Sequence, residues 1–354
     1  MNDGQSQRLQ QFEHRLDGLR EEAQRNGTVL GDGVTAAGGP MPVRTPEQMR
    51  PPGYYGLPII KSPVWEWMIP VYFFIGGLAG MSALIASAAW LKGNVELARA
   101  AMWSAGIGGI LSPILLTWDL GRPRRFIYML RVFKFQSPMS LGSWIVTGFG
   151  AFAVPGLAFT EWHWQNLQGG GANSIVATLA VIGIAGAALF GIFLATYTGA
   201  LIAVTAIPAW NVHRVTLPFH FGTTGLGCAA AIPLLARFQA RPLTILLIAA
   251  ASAETLVMLW LELRRHGAVD HALRHGKSGW TLRAAELLEG PLSLGLGLAG
   301  LQMLAAGAFL IGGLLSRFGW VMAGRASAED PRSVLASQNG ENPTATTRLE
   351  HFKK

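Results

Sequence analysis

The composition of this 354-residue chain is that of a membrane protein: 51% of its residues are hydrophobic and 14% are charged, against about 25% charged in soluble domains. Its single cysteine, Cys228, excludes a disulfide framework and an iron–sulfur cluster or zinc site built by this protein alone, since such sites need several thiolates. The net charge of +8 reports first on membrane topology, so nucleic acid is not expected as a partner.

The first 60 residues form a predicted extramembrane arm. A short amphipathic helix is indicated within residues 5–25 by apolar side chains at three- and four-residue intervals: Leu9, Phe12, Leu16 and Leu19. This helix either lies free on the surface or docks on a partner. Residues 26–60 are rich in glycine and proline, which interrupt helices. No apolar run lies in this arm, so we expect no cleavable signal peptide, and the first span must itself direct insertion.

Residues 61–326 form the predicted transmembrane domain of an all-α, polytopic helical bundle. Six stretches have the length and hydropathy of membrane spans, at about residues 66–91, 99–118, 141–161, 174–207, 219–236 and 242–263. The last apolar region, 284–325, is too long for one simple span and short for two. Seven spans are therefore indicated directly and eight are predicted. Residues 327–354 form a polar C-terminal tail.

The basic residues of the loops indicate the topology. Those on the face shared with the N-terminal arm are Arg122, Arg124, Arg125, Arg131, Lys134, Arg214, Arg264, Arg265, Arg274, Lys277 and Arg283. The opposite face has fewer: Lys92, Arg99, Arg237 and Arg241. The positive-inside rule then predicts a multi-pass protein of the inner (cytoplasmic) membrane with a cytoplasmic N-terminus. Arg122, Arg124 and Arg125 also fit a surface that attracts an acidic partner, and the topology signal explains them equally well.

Polar residues gather at the N-terminal face of the predicted bundle. Glu66 and Trp67 open the first span, Asp119 closes the second, and His220 opens the fifth. Tyr197 lies about 15 Å inside the membrane on the same side, at about 1.5 Å per helical residue. Carboxyl, imidazole and phenol groups converging there can hydrogen-bond the two oxygens of a quinone. The interfacial aromatic belt is the alternative explanation for the tryptophan.

Ionisable residues within spans are costly in hydrocarbon and are functional candidates. Glu254, near the middle of the sixth span, is either a proton relay or the ion-pair partner of Arg317. Glu161 and His163, at the opposite end of the third span, either open a proton path there or form a solvated helix end. A membrane haem needs two axial histidines at matching depth, and the eight histidines do not supply them.

Five segments carry a family resemblance. Residues 117–126 read Thr-Trp-Asp-Leu-Gly-Arg-Pro-Arg-Arg-Phe, and residues 137–144 read Ser-Pro-Met-Ser-Leu-Gly-Ser-Trp. The other segments are 72–80, 197–210 and 317–324. In this order they resemble the NrfD-like family, the integral membrane subunits of polysulfide-reductase-type complexes. The resemblance covers about residues 60–330.

The resemblance implies eight helices in two four-helix bundles, with no haem or iron–sulfur cluster in this protein. It also implies a subunit that exchanges electrons between a quinone, either menaquinone or ubiquinone, and an iron–sulfur ferredoxin-like partner serving a molybdopterin-type catalytic subunit. Tyr197 and the start of the first span resemble the quinone site of the family, and residues 119–125 resemble its wall and docking surface. Where the family has a histidine, this sequence has Val64, Trp65 and Glu66, so that role passes to Glu66 or is absent.

Other functions stay open from the sequence alone. The protein could be a proton-translocating module without quinone chemistry, or a passive membrane anchor of such a complex. A secondary transporter is disfavoured because no matched pair of interrupted half-helices is visible. The polar cluster with Tyr197 favours quinone chemistry, since an anchor would not need it. In every case the protein would act with partner subunits and surrounding lipid, and would not be an enzyme by itself.

Overall fold

The computed structural model describes residues 60–119, 124–171, 173–238, 240–264, 267 and 269–338. The predicted N-terminal arm with its amphipathic helix lies outside the described residues, except for its last residue. The docking residue Arg122 also lies outside them, as do the side chains of Arg124 and Arg125.

The first half of the described sequence folds into four long helices and one short helix. They are α1 (Met68–Leu91), α2 (Val95–Asp119), α3 (Arg124–Arg131), α4 (Pro138–Gln168) and α5 (Ser174–Ala203). Three of the long helices are capped at the N-terminus by side chains, which satisfy backbone N–H groups that have no partner within the helix. The Asn94 side chain accepts from the backbone N–H of Leu97. The Ser137 hydroxyl accepts from that of Ser140, and the Asn173 side chain accepts from that of Ile175.

The second half contains more interruptions. Its helices are α6 (Pro208–Asn211), α7 (Thr216–Leu235), α8 (Arg241–Leu263), α9 (His271–Arg274), α10 (Gly276–Leu287), α11 (Ser293–Leu298), α12 (Gln302–Glu329) and α13 (Pro331–Gln338). A π-helical turn, Leu288–Leu292, joins α10 to α11. Gly290 in this turn has φ −97° and ψ −106°, outside the helical region, and Pro291 follows it. A glycine and a proline together explain the kink, because proline cannot donate a helical hydrogen bond.

The all-α, polytopic membrane fold is confirmed. In the described part of the sequence, six helices are long and apolar enough to cross a membrane: α1, α2, α4, α5, α8 and α12. The ambiguous region 284–325 folds as two helical pieces that turn at Gly300, whose φ of +78° suits glycine. The predicted total of eight crossings stays a prediction. The tail predicted from residue 327 begins within α12 and continues into α13, where Val334 is buried.

The helices pack in two groups joined side by side. The first bundle consists of α1, α2, α4 and α5, and the second bundle consists of α7, α8, the α10–α11 segment and α12. α1 and α5 pack against α7 and thereby join the two groups. We call the end at which α1 begins the N-terminal face. The end of α12 lies at this face, because Arg325 donates to the Trp65 carbonyl at 2.6 Å and Ser62 donates to Glu329 at 3.1 Å.

Glycines set the closest helix approach in the first bundle. Gly80 of α1 faces Gly191 of α5, and a Cβ on either residue would overlap the backbone of the other. Lipid gives helices no hydrophobic drive to associate, so close backbone packing supplies much of the attraction between them. This contact holds the helix that carries Tyr197 against the helix that follows Glu66.

We expect Gly191→Ala to lower the stability of the protein by about 1–3 kcal/mol, the usual cost of overpacking a tight contact. The measurement is the thermal unfolding midpoint of the purified protein in detergent. Gly307→Ala in α12 is the matched control, since an added Cβ there meets no atom within 4 Å. Equal midpoints for the two variants would contradict the proposed role of the glycine contact.

Candidate functional site

Glu66 and Asp119 meet at the N-terminal face of the first bundle. Glu66 lies just before α1, and Asp119 is the last residue of α2. The backbone N–H and the carboxylate of Glu66 both act on the Asp119 carboxyl group. Trp67 lies beside them with 57% of its surface exposed. The structure thus brings together three of the residues that the sequence assigned to the quinone site.

Tyr197 is fixed at the same end of the first bundle. Its hydroxyl donates to the carbonyl of Pro138, the first residue of α4. Gly142, one turn further along α4, leaves room for the ring, because a Cβ there would overlap it. Tyr72, in the first turns of α1, is fully buried. The phenol oxygen keeps lone pairs that can accept a hydrogen bond from a ligand.

The second bundle holds a separate buried group centred on His220. Nδ1 of His220 lies 2.5 Å from a carboxylate oxygen of Glu254, and Nε2 lies 2.7 Å from the Ser316 hydroxyl. The other carboxylate oxygen of Glu254 accepts from Thr224 at 3.0 Å and also from Thr223. His220, assigned from sequence to the quinone site, and Glu254, assigned to a proton path, are therefore direct partners.

Glu289 and Arg317 complete this group, which we call the second-bundle cluster: His220, Glu254, Glu289, Ser316 and Arg317. A carboxylate oxygen of Glu289 lies 3.9 Å from Nε2 of His220. Ligand atoms of His220, Glu254 and Glu289 lie within 4.8 Å of one another, a spacing that a metal ion could also use. No pattern in the sequence predicts a metal there.

Arg317 is not the direct ion-pair partner of Glu254 that the sequence suggested. Its Nη2 donates to the Phe221 carbonyl at 3.0 Å, and its guanidinium lies 3.7 Å from the centre of the Phe221 ring. Among the described residues, its Nε and Nη1 find no hydrogen-bond partner. Glu254 is instead hydrogen-bonded to the imidazole of His220. Arg317 therefore acts on the Glu254 and Glu289 carboxylates at longer range.

Aromatic rings lie between the first-bundle site and the second-bundle cluster. The rings of Tyr72 and Phe73 are 5.6 Å apart, those of Phe73 and Phe221 are 6.0 Å apart, and those of Phe221 and His220 are 5.8 Å apart. Within the described residues, the polar contacts of His220 are all with residues of the second bundle. The residues predicted to bind quinone therefore fall into two places: His220 lies in the second bundle, and the aromatic row separates it from the others in the first bundle.

The predicted proton-path residues at the opposite face have separate surroundings. Glu161 receives two hydrogen bonds from the Arg99 guanidinium, at 2.6 and 2.9 Å, and one from Trp103 at 3.2 Å. His163 packs against Trp90, with ring centres 5.2 Å apart. Two parallel hydrogen bonds of this kind hold the guanidinium and the carboxylate in one relative orientation. Glu161 thus joins α4 to α2 rather than standing as an isolated proton donor.

Sequence reasoning missed the part of the site contributed by the last two helical pieces. Glu289 and Ser316 lie in the region whose path was ambiguous, so no depth could be assigned to them. A buried His213–Asp270 pair, 3.3 Å apart, was also missed because its members lie far apart in sequence. The four-residue spacing of His220, Thr224 and Cys228 was the available signal, since it puts them on one face of α7.

We expect Arg317→Met to destabilise the protein by about 3–5 kcal/mol, because it leaves the buried carboxylates without their guanidinium. Thermal unfolding in detergent is the measurement. Arg241→Met, an exposed arginine at the other face, is the matched control. Adding Glu289→Gln to Arg317→Met should restore part of the loss, since it removes one carboxylate charge. No recovery in the double variant would contradict this electrostatic account.

Comparisons with known proteins agree with the fold. The family model described as "Polysulphide reductase, NrfD" matches residues 60–326. The polysulfide reductase C subunit of Wolinella succinogenes is 30% identical over 192 residues, covering 49% of this protein and 57% of that relative. The match thus spans little more than half the length of the relative. Since the family model covers most of the sequence, including the long helices named above except for the last three residues of α12, this chain is a multi-pass membrane protein of the NrfD family.

Proposed function

We propose that this protein is the quinone-reactive membrane subunit of an oxidoreductase complex. It passes electrons between the quinone pool, menaquinone or ubiquinone, and an iron–sulfur partner subunit that serves a molybdopterin-type catalytic subunit. Family membership and the name of the relative, one subunit of a polysulfide reductase, support a multi-subunit complex. The excess of loop arginines and lysines on the N-terminal face supports an inner-membrane location with that face in the cytoplasm.

The observation that carries the proposal is the position of Tyr197, Glu66 and Asp119 at the same end of the first bundle. Oxidation of a quinol releases two electrons and two protons, so its hydroxyl groups need hydrogen-bond acceptors. The Tyr197 hydroxyl donates its own hydrogen to Pro138 and presents its lone pairs to a ligand. The adjoining carboxyl groups of Glu66 and Asp119 can take a proton. Trp67 offers an apolar surface beside them.

The electrons must leave through a partner, because a single cysteine cannot build an iron–sulfur cluster. The backbone of α3 begins at Arg124, five positions after Asp119 at the end of α2. A surface carrying Arg122, Arg124 and Arg125 would therefore adjoin the proposed quinone site along the sequence. Positive charge attracts an acidic partner surface and orients its approach. Docking there would keep a partner cluster near the quinone.

Proton translocation is the second candidate function, and the second-bundle cluster favours it. Ionisable groups buried among transmembrane helices mark proton relays in many transport proteins. His220 and Glu254 are within 2.5 Å of each other and almost fully buried. A passive anchor would need neither this pair nor the group around Tyr197.

We expect Tyr197→Phe to lower quinone turnover by roughly ten- to a hundredfold, since it removes one hydrogen bond to a reacting oxygen. Asp119→Asn should also lower it, because the amide cannot take up a proton. Gly142→Ala should act like Tyr197→Phe by displacing the ring, with Gly307→Ala as its matched control. The measurement is quinol oxidation or quinone reduction by the purified complex, with its subunit composition verified. Unchanged turnover in intact Tyr197→Phe and Asp119→Asn complexes would overturn the proposed site.

A further inference from the structure

We propose that the second bundle contains a proton-binding site that exchanges protons with the N-terminal face alone. Its proton-carrying groups are His220, Glu254 and Glu289, and Arg317 is its fixed positive charge. This inference rests on the proposed function in one respect, the orientation of the protein in the membrane. It does not require quinone chemistry in the first bundle.

Charge balance requires a proton in this cluster. His220, Glu254, Glu289 and Arg317 are each at most 4% exposed. Two ionised carboxylates would exceed the single guanidinium by one negative charge, and an uncompensated charge costs several kcal/mol away from water. At least one proton must therefore reside on the imidazole or on a carboxyl group.

The charged and titratable groups around the cluster do not remove this requirement. Cys228 of α7 interacts with Glu254, Glu289 and Arg317 and is neutral as a thiol. Glu286, on α10, adds a further carboxyl group that acts on Glu289, and the charges of Arg274 and Arg283 act in turn on Glu286. The positive charge that acts on Glu254 and Glu289 themselves is Arg317, together with whatever proton His220 carries.

Hydrogen bonds connect the groups that would share the proton. The imidazole of His220 lies between the Glu254 carboxylate at 2.5 Å and the Ser316 hydroxyl at 2.7 Å. A carboxylate oxygen of Glu289 lies 3.9 Å from Nε2 of the same imidazole, beyond direct hydrogen-bond distance. An imidazole can accept a proton at one nitrogen while releasing one at the other. A proton can therefore move among Glu254, His220 and Ser316, and the nearby Glu289 carboxylate stabilises positive charge on the imidazole.

A small cavity lies on the N-terminal side of the cluster, and two of its lining residues, Glu286 and Trp320, border the cluster. Its walls include His213, Asp270, Glu286 and Trp320. About 20 Å³ of it is open to the centre of a water molecule, more than the roughly 10–15 Å³ that one water needs. Glu286 precedes Glu289 by one turn of helix, so the two carboxyl groups lie on the same side of the α10 segment. Trp320 packs against both His213 and His220.

The other half of the second bundle is apolar. Its axis is filled by fully buried side chains, among them Leu243, Leu247 and Phe309. A Cβ on Gly227 would overlap the Phe309 ring, so no gap remains there. Ser293 is the buried polar side chain of this half among the described residues, and its hydroxyl already donates to backbone carbonyls. Protons therefore reach the cluster from one side.

The test uses the purified complex in proteoliposomes of known orientation, with infrared detection of protonated carboxyl groups after a pH jump on one side. We expect the carboxyl signal to follow the pH at the N-terminal face. Glu254→Gln and Glu289→Gln should each lose part of the signal. Glu96→Gln, an exposed carboxylate at the opposite face, is the matched control and should keep it. Asp270→Asn and Glu286→Gln should slow the response about tenfold or more.

Three results would overturn the proposal. One is a wild-type signal that follows the pH at the opposite face. Another is a signal unchanged in both Glu254→Gln and Glu289→Gln. The third is one tightly bound metal ion per protein molecule that is lost in these variants, because a cation would then balance the charge in place of the proton. Quinone turnover measured on the same samples separates the two proposals: failure of the Tyr197 site would leave the sided carboxyl signal unaffected.

Discussion

An isolated charge is costly in hydrocarbon, where no water can solvate it, and this cost determines where the ionisable residues of this protein lie. Most of its surface and core is apolar, so each buried ionisable group depends on a few partners from other helices. The buried His220 and Glu254 join α7 to α8, and at the opposite face the partly exposed Arg99 and Glu161 join α2 to α4. These pairs lie at different ends of different bundles. The requirement for partners thus fixes both which helices pack together and where proton chemistry can occur.

Close packing between helix backbones is the second constraint, because it sets the distance between polar groups on neighbouring helices. Gly142 leaves the space that the Tyr197 ring occupies, and the contact of Gly80 with Gly191 brings α1 and α5 together. A membrane helix with larger residues at these positions would hold the same functional groups further apart. Glycine here acts through its small size, and the geometry of the proposed quinone site depends on these glycines as well as on the residues proposed to bind quinone.

Much of this could be predicted from the sequence, and the misses have physical causes. Hydropathy and length indicated α1, α2, α4, α5 and α8, which are long and apolar enough to cross a membrane, whereas the predicted span 219–236 folds as α7, which is not among those helices. The alternation of span direction put Glu66 and Asp119 at the same face, where the structure has them. The depth of His220 in the membrane could not show which bundle it belongs to, because residues at equal depth can lie in either bundle. Glu289 was missed because the kink at Gly290 disrupts the helical pattern, and with it any estimate of which side chains face inward.

The two polar sites lie in different bundles, so any coupling between them must cross the contacts between the bundles, chiefly those of α1 and α5 with α7 and of α1 with α12. Phe221 occupies the interface of α1 and α7: its ring packs on Phe73, and its carbonyl accepts the hydrogen bond of Arg317. Phe73 lies on α1, which packs against the α5 helix that carries Tyr197. A shift of α1 at the proposed quinone site would therefore move the residue that holds the fixed charge of the proposed proton site. Because that site opens to one face, net translocation would require such a shift to open a second route through the apolar half of the second bundle.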